Sequence, residues 1–403
     1  MSRAEIVVDL AAIRRNVRAL RERTGVAMMT VVKADGYGHG MLASARAARE
    51  AGSEWLGVAT IDEALALRAG GDSGRLLCWL TVPADDLAPV LAADVDVTAY
   101  TVEGLERVAA AAVRAGRGAT GRPARVQLKV DTGLSRGGAT AAQWPEVVAR
   151  ARAGERDGTW RITGIWSHFS TSEIPEDPAN AEQEAAFEEA LAVAAAAGLQ
   201  PEVRHLANSA AALLRPSSRY DLVRCGLASY GLDPAPGRHD LALVPAMTVR
   251  ADLALVKQID AGASVSYGHT WTATAPTTLG LVPIGYAEGI SRHAAAGGGD
   301  GGAEVLVGKR RRPIRGAICM DQFVVDLDGD TPPEGDEVLL WGPGTRGEPT
   351  AEDWARVCDT ISYEIVTRVG GRLTRRYVDG VADQHAHDDR HDDRHDAPGE
   401  RKR

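Results

Sequence analysis

Apolar positions along the chain fall into two rhythms. From residue 27 to about residue 224, short apolar runs alternate with alanine-rich stretches whose apolar positions recur at helical spacing. The runs predict strands near 27–33, 54–59, 75–80, 95–99, 124–130, 160–167, 203–206 and 221–224. Ahead of them, Glu5 to Asp9 reads as a short strand, and Asp9 is placed to cap a helix carrying Ile13, Val17 and Leu20 on one face. Eight strand-helix units in about 230 residues predict an α/β fold, a (β/α)8 TIM-type barrel. A doubly wound sheet shares the alternation, but the count favours closure.

From about Pro245 the rhythm changes to strands and turns without long helices: Met247 to Val256, Leu279 to Pro283, Val305 to Val307, Phe323 to Leu327 and Glu337 to Leu340. This predicts a second, mostly β domain joined by the N-terminal strand, with one late helix from Ala351 to Cys358. Ala-Ala-Gly-Gly-Gly-Asp-Gly-Gly (295–302) reads as a flexible loop. Beyond Val381 almost nothing can be buried, and the His/Asp-rich stretch carrying His385, His387, His391 and His395 reads as a solvated, disordered tail. The expected boundaries are 10–242 for the barrel, 1–9 with 243–381 for the β domain, and 382–403 for the tail.

With 403 residues the chain can fill two cores. Its net charge of -9 argues against a nucleic-acid partner. The N-terminus lacks a signal-peptide pattern and no apolar run reaches the length of a membrane span, so a cytoplasmic location is expected. The cysteines, Cys78, Cys225, Cys319 and Cys358, are widely spaced, which suits reduced thiols and neither a zinc site nor a disulfide framework. No metal is expected.

A barrel places its chemistry at the C-terminal ends of its strands, and phosphate at the loops after the seventh and eighth. Polar residues fall there. Lys33 ends the first predicted strand, Lys129 and Asp131 the fifth with Arg136 beyond, and His168 the sixth. Asn208 and Ser209 follow the seventh, and Arg224, Gly226 and Leu227 the eighth. A lysine at a strand tip is compatible with a plain surface charge, but partial burial would make it a nucleophile or base.

The octapeptide from Lys33, Lys-Ala-Asp-Gly-Tyr-Gly-His-Gly, closely resembles the cofactor-lysine signature of alanine racemases, two-domain pyridoxal-phosphate enzymes. The resemblance extends through Val126-Gln-Leu-Lys-Val-Asp-Thr-Gly-Leu-Ser-Arg136, Trp166-Ser-His-Phe169, His205-Leu-Ala-Asn-Ser209 and Val223-Arg-Cys-Gly-Leu227. It continues in Val265-Ser-Tyr-Gly268, Val282-Pro-Ile-Gly-Tyr286, Cys319-Met-Asp321 and Ile361-Ser-Tyr-Glu364, so it covers the chain to about Val378. It implies interconversion of L- and D-alanine on pyridoxal 5'-phosphate in a homodimer with shared sites, supplying D-alanine for peptidoglycan. Lys33 would hold the cofactor covalently and serve as one base, with Tyr267 of a second subunit as the other. Tyr37, His168, Asn208, Ser209, Arg224, Gly226, Leu227 and Tyr363 would bind the cofactor. Arg136, Met320 and Tyr286 would meet the substrate, with Lys129, commonly carbamylated in the family, and Asp321 in support.

Two bases suit the reaction, since a proton must leave one face of the α-carbon and return to the other. A free phenol titrates near about 10, so the family couples its tyrosine to a histidine touching an arginine, here His168 and Arg224. One departure is that the family often has an arginine two residues before Cys319, in its substrate corridor, where this chain has Ala317. The rival readings are a broader-specificity amino-acid racemase, a fold-related amino-acid decarboxylase and a non-catalytic pyridoxal-phosphate carrier. Cys319 in Ile-Cys-Met-Asp fits the racemase better than the decarboxylase, and a carrier would have no use for the second domain.

Overall fold

A computed structural model describes residues 3–118, 121–295 and 301–380. The tail from 382 and residues 296–300 of the glycine-rich stretch lie outside them. The chain divides into two compact units, residues 14–243 and residues 1–13 with 244–403.

The N-terminal strand β1 (Ala4–Asp9) runs into a helix, Leu10–Thr24, whose first free N–H groups, Ala11 and Ala12, bond the Asp9 carboxylate at 2.9 and 3.2 Å. The 14–243 unit is built on eight parallel strands: β2 (Ala27–Val31), β3 (Trp55–Val58), β4 (Arg75–Cys78), β5 (Asp96–Ala99), β6 (Ala124–Lys129), β7 (Trp160–Trp166), β8 (Val203–His205) and β9 (Leu222–Cys225). They pair in the order β8-β7-β6-β5-β4-β3-β2-β9. Asp221 N–H to Arg204 C=O at 3.1 Å and Arg224 N–H to Ala207 C=O at 3.0 Å join β9 to β8, so the sheet closes into the expected TIM-like barrel. Burial on both faces explains why these strands read as continuous apolar runs rather than alternations.

Two glycines make room inside the barrel. A Cβ on Gly57 would lie 2.7 Å from both the Met29 sulfur and the Trp79 ring, and one on Gly164 would lie 2.7 Å from the Gln127 amide. Between Val126 and Gln127 the β6–β7 register shifts, leaving Thr163 as a bulged residue whose hydroxyl bonds Val126 C=O at 3.2 Å.

In the other unit a nine-stranded sheet holds β10 (Met247–Asp252), β11 (Leu255–Ile259), β14 (Thr277–Val282), β15 (Glu304–Val307), β16 (Arg310–Arg315), β17 (Phe323–Asp326), β18 (Glu337–Trp341), β19 (Thr374–Val378) and β1, with a small ribbon of β12 (Ser264–Val265) and β13 (Trp271–Thr272) apart from it. As expected, β1 belongs here, antiparallel to β10 and parallel to β19. The single strand expected over Met247–Val256 is two, because Leu253 and Ala254 bond Asp336 and Leu281 instead of continuing the ladder. The Arg310–Arg315 strand was invisible to a hydrophobic pattern, since its residues are Arg, Arg, Arg, Pro, Ile and Arg. A second late helix, Ser362–Arg368, follows the expected one at Ala351–Val357.

Packing around Trp160 is tight enough to test. A Cβ on Gly154, in the helix Trp144–Arg156, would sit 2.2 Å from the buried Trp160 ring, itself fixed by Nε1–H to Ala151 C=O at 2.8 Å. Gly154→Ala is expected to destabilise the barrel unit by about 2–3 kcal/mol in urea unfolding. A change below about 0.5 kcal/mol would show that the ring is free to move aside.

Candidate active site

Strand β2 stops at Val31, two residues short of Lys33, and the chain then winds the wrong way. Ala34, Asp35, Gly36 and Tyr37 all have φ between 52° and 63°, a turn of left-handed helix. Each non-glycine residue there costs about 1–2 kcal/mol, so the surroundings must enforce it. Ala34 N–H is held by Glu63 at 2.7 Å, Met41 N–H by the Asp35 carboxylate at 2.8 Å, and Gly36 N–H by Val32 C=O at 2.9 Å. The His39 ring bonds Tyr37 C=O at 2.9 Å and stacks on Tyr230, whose hydroxyl donates to Val31 C=O at 3.0 Å. Lys33 opens this turn and Tyr37 closes it, the lysine amine 6.0 Å from the Trp79 ring centre and the phenol against Gly226. Burial, then the Arg136 charge, lower the Lys33 pKa against the opposing pull of Glu63, which raises the fraction of free amine.

Across the barrel mouth the buried Arg224 gives Nη1–H to His205 C=O and to the His205 ring, both at 3.1 Å. Its Nη2 reaches Ser167 C=O at 2.8 Å and Leu206 C=O and His168 Nδ1 at 3.0 Å. Nε finds no acceptor, and no carboxylate pairs with the guanidinium, among the described residues. Burial pulls its pKa down to about 9, so it stays cationic at neutral pH. A guanidinium only donates, which makes the facing ring nitrogens of His168 and His205 acceptors. Burial, and next the Arg224 charge, hold both histidines well below the ordinary imidazole value, and they are neutral.

Tyr37, Ser209 and Gly226 meet between these groups. Ser209 Oγ, buried, accepts from Gly226 N–H at 3.0 Å. A Cβ on Gly226 would lie 2.3 Å from the Tyr37 hydroxyl, so only glycine lets the phenol close on the backbone there. Leu227 is buried in the turn that follows. Asn208 is engaged elsewhere: its Oδ1 accepts Ala211 N–H at 3.0 Å and its Nδ2 bonds Ser172 at 2.8 Å.

Lys129 is buried with its amine 4.7 Å from the Trp166 ring centre and 5.7 Å from that of Tyr100. Burial, followed by Arg224 and Arg136, pulls it down to about 8 against Asp131. Arg136 tops a loop folded back over Lys129 by Asp131 Oδ1, which accepts Gly133 and Ser135 N–H at 3.0 and 3.1 Å. Lys33, Lys129, Arg136 and Arg224 all bear on His168. The result is a cationic mouth suited to a phosphate and a carboxylate.

The other unit groups Tyr267, Tyr286, Met320 and Asp321 on three bonded loops. Ser266, at φ 63°, donates to Ala317 C=O at 2.6 Å, and Tyr286 and Ala287 N–H bond Cys319 and Met320 C=O at 3.1 and 3.0 Å. Asp321 pairs with Arg372 at 2.6 Å, and Tyr363 lies in the helix Ser362–Arg368. Tyr267 is 74% exposed and Met320 53%. Beside Tyr267 lies a concavity of about 500 Å³ lined by Leu255, Leu279, Leu281 and Phe323.

Sequence reasoning missed Glu63, His205 and Trp166 as members of the site. Thr60 and Glu63 do form the capping box that the spacing announces, yet the bond from Ala34 to Glu63 crosses between two strand-helix units and leaves no local trace.

The two neutral histidines predict an acid sensitivity. Unfolding lets each take up a proton near pH 6.5 that the folded chain refuses, so stability is complete above that pH and falls below it, by up to about 1.4 kcal/mol per pH unit for each histidine. Asp96, pushed up to about 6 by burial, works in the opposite sense below that value and leaves a net loss. Urea midpoints of the barrel unit are expected to drop between pH 7 and 5.5; a flat profile would mean that the folded state accepts these protons.

Comparison with known proteins agrees with this geometry. Residues 8–234 match the model of the alanine racemase N-terminal domain and residues 246–377 that of the C-terminal domain. An alanine racemase from Frankia casuarinae is 52% identical over 376 residues, covering 92% of this chain and 95% of its own length. The structure of alanine racemase from Streptomyces coelicolor superposes with a TM-score of 0.90 at 51% identity, covering 94% of this chain and 98% of that one. That from the D-cycloserine producer Streptomyces lavendulae gives 0.90 at 49%, covering 96% and 99%. With both domain models matched in order and half the residues shared, this chain belongs to the alanine racemase family.

Proposed function

We propose that this protein interconverts L- and D-alanine on pyridoxal 5'-phosphate bound at the barrel mouth. The observation that carries the reading is the pairing of a half-buried, pKa-lowered Lys33 with an Arg224 that has a spare Nε–H and no carboxylate beside it. The donor set fits the cofactor: the Tyr37 and Ser209 hydroxyls and the Gly226 backbone form a neutral cradle for a phosphate, which a Cβ at Gly226 would fill. Residues 10–242 would bind the cofactor, while 1–9 and 243–381 would supply Tyr267, Tyr286, Met320 and Tyr363.

Bound there, pyridoxal phosphate would acidify the α-hydrogen of an amino acid joined to it. The free Lys33 amine removes or returns a proton at one face of the α-carbon. Tyr267 of a second copy serves the other face; its exposure and the apolar concavity at its side support a surface that a partner subunit covers. Arg224 can only donate, so it would leave a pyridine nitrogen held there unprotonated and a weak electron sink. That favours return of the proton to the α-carbon over elimination or transamination. Arg136 and the Met320 N–H take the substrate carboxylate, while Tyr286 limits the side chain to about a methyl group. As an ammonium, Lys129 repels Arg136; carbamylation of Lys129 would convert that repulsion into a hold. Cytoplasmic action supplying D-alanine for peptidoglycan follows from this activity, and among the described residues no helix is long and apolar enough to cross a membrane.

A chiral assay with each L-amino acid in turn tests the reading directly: alanine alone should racemise, whereas release of carbon dioxide or no turnover would overturn it. Lys33→Ala should abolish both the visible absorbance of bound cofactor and activity, by at least about 10³-fold. Tyr267→Phe should slow proton removal from L-alanine more than from D-alanine, as read by substrate deuterium isotope effects. Mixed dimers of the Lys33→Ala and Tyr267→Phe chains should recover part of the activity if the two residues meet across a subunit interface.

A further inference from the structure

The Arg224 contacts continue downward through the barrel. His205 Nε2 lies 2.8 Å from Gln127 Oε1, and Gln127 Nε2 donates to Asp96 Oδ2 at 3.4 Å. Asp96, the first residue of β5, also takes the Arg125 Nε–H at 2.7 Å, Arg75 at 3.3 Å and the hydroxyl of Thr163, which the β7 bulge turns inward. Asp96, Gln127 and His205 are all fully buried, and Gly164 leaves the space that the Gln127 amide fills.

The chemistry of these groups fixes the direction of every bond. An ionised Asp96 can only accept, so Gln127 must turn its NH2 to Asp96 and its carbonyl to His205. A carbonyl at His205 requires the ring proton on Nε2. Nδ1 is then a bare lone pair, and the Arg224 Nη1–H donates to it at 3.1 Å. With Gln127 flipped, the ring proton would move to Nδ1 and face the arginine N–H, donor against donor.

We propose that Asp96, acting through Gln127 and His205, is a positioning residue for Arg224: a carboxylate at the barrel floor sets the proton pattern that holds the guanidinium at the mouth. Its effect on a cofactor rests on the functional reading above, whereas the direction of the chain does not. Arg75 opposes the rise in the Asp96 pKa to about 6 that burial causes, and the carboxyl is ionised at neutral pH. The plain competitor is a floor brace, in which Asp96 matters only to stability.

Long-range proton–nitrogen NMR of protein carrying ¹⁵N-histidine decides between them, with His205→Asn used to assign the signal. At pH 7.5 the wild type should show His205 neutral with its proton on Nε2; a proton on Nδ1, or a charged ring, overturns the proposal without any variant. Asp96→Asn removes the obligatory acceptor, and Gln127→Met cuts the chain while leaving the Asp96 ion pairs whole. Either change leaves the Arg224 N–H as the one remaining constraint on the His205 ring proton, so the Nε2 tautomer should lose population and pyridoxal phosphate binding should weaken by about tenfold, the loss expected for a charge-assisted hydrogen bond out of place. Thr163→Val, which leaves the carboxylate its role as acceptor, should leave the tautomer unchanged. Loss of urea resistance alone in Asp96→Asn and Gln127→Met, with tautomer and affinity as in the wild type, identifies a floor brace and ends the proposal. No binding of pyridoxal phosphate to the wild type, with the tautomers as expected, would fault the functional reading instead.

Discussion

A guanidinium buried without a carboxylate is the constraint around which the barrel mouth is arranged. Taking a cation out of water is expensive unless its hydrogen bonds are replaced, and Arg224 replaces them with the carbonyls of Ser167, His205 and Leu206 and two imidazole nitrogens. Those carbonyls lie at the C-terminal ends of β7 and β8, so closing the barrel is what builds the arginine's solvation shell. Burial, and next the charge that remains uncompensated, keep His168 and His205 neutral and lower the Lys129 pKa to about 8. The two imidazoles thereby keep the lone pairs on which the guanidinium N–H groups rest.

The second constraint is backbone strain. A left-handed turn over Ala34 to Tyr37 would not persist in an isolated peptide, and here Glu63, Asp35 and His39 pin it from three sides. Strain of this kind persists where the surrounding structure over-determines it. What it achieves is placement: Lys33 is held at the start of the turn and Tyr37 at its end, with Gly226 thinned to admit the phenol.

Much of this was legible in the chain. The eight apolar runs located the barrel strands to within a few residues, because strands buried on both faces have little freedom to be anything but apolar. The motif segments named Lys33, Tyr37, Lys129, Arg136, His168, Ser209, Arg224 and Gly226, and folding brings all of them to one mouth. The pattern failed where local composition contradicts the outcome. Arg310–Arg315 is a strand because its neighbours bond it and Asp330 and Asp326 meet its charges.

The sequence by itself determined the alternation that makes a barrel, the position of each reactive side chain at a strand end, and the glycines where backbone and ring must touch. Only the tertiary structure decided which of those groups carry protons. The ring of His205 is neutral because it is dry and faces a cation, and the amide of Gln127 has a direction because Asp96, thirty-one residues earlier, lies beneath it. Burial and the sign of a neighbour's charge are properties of space rather than of order along the chain, and the chemistry of this site is set by them.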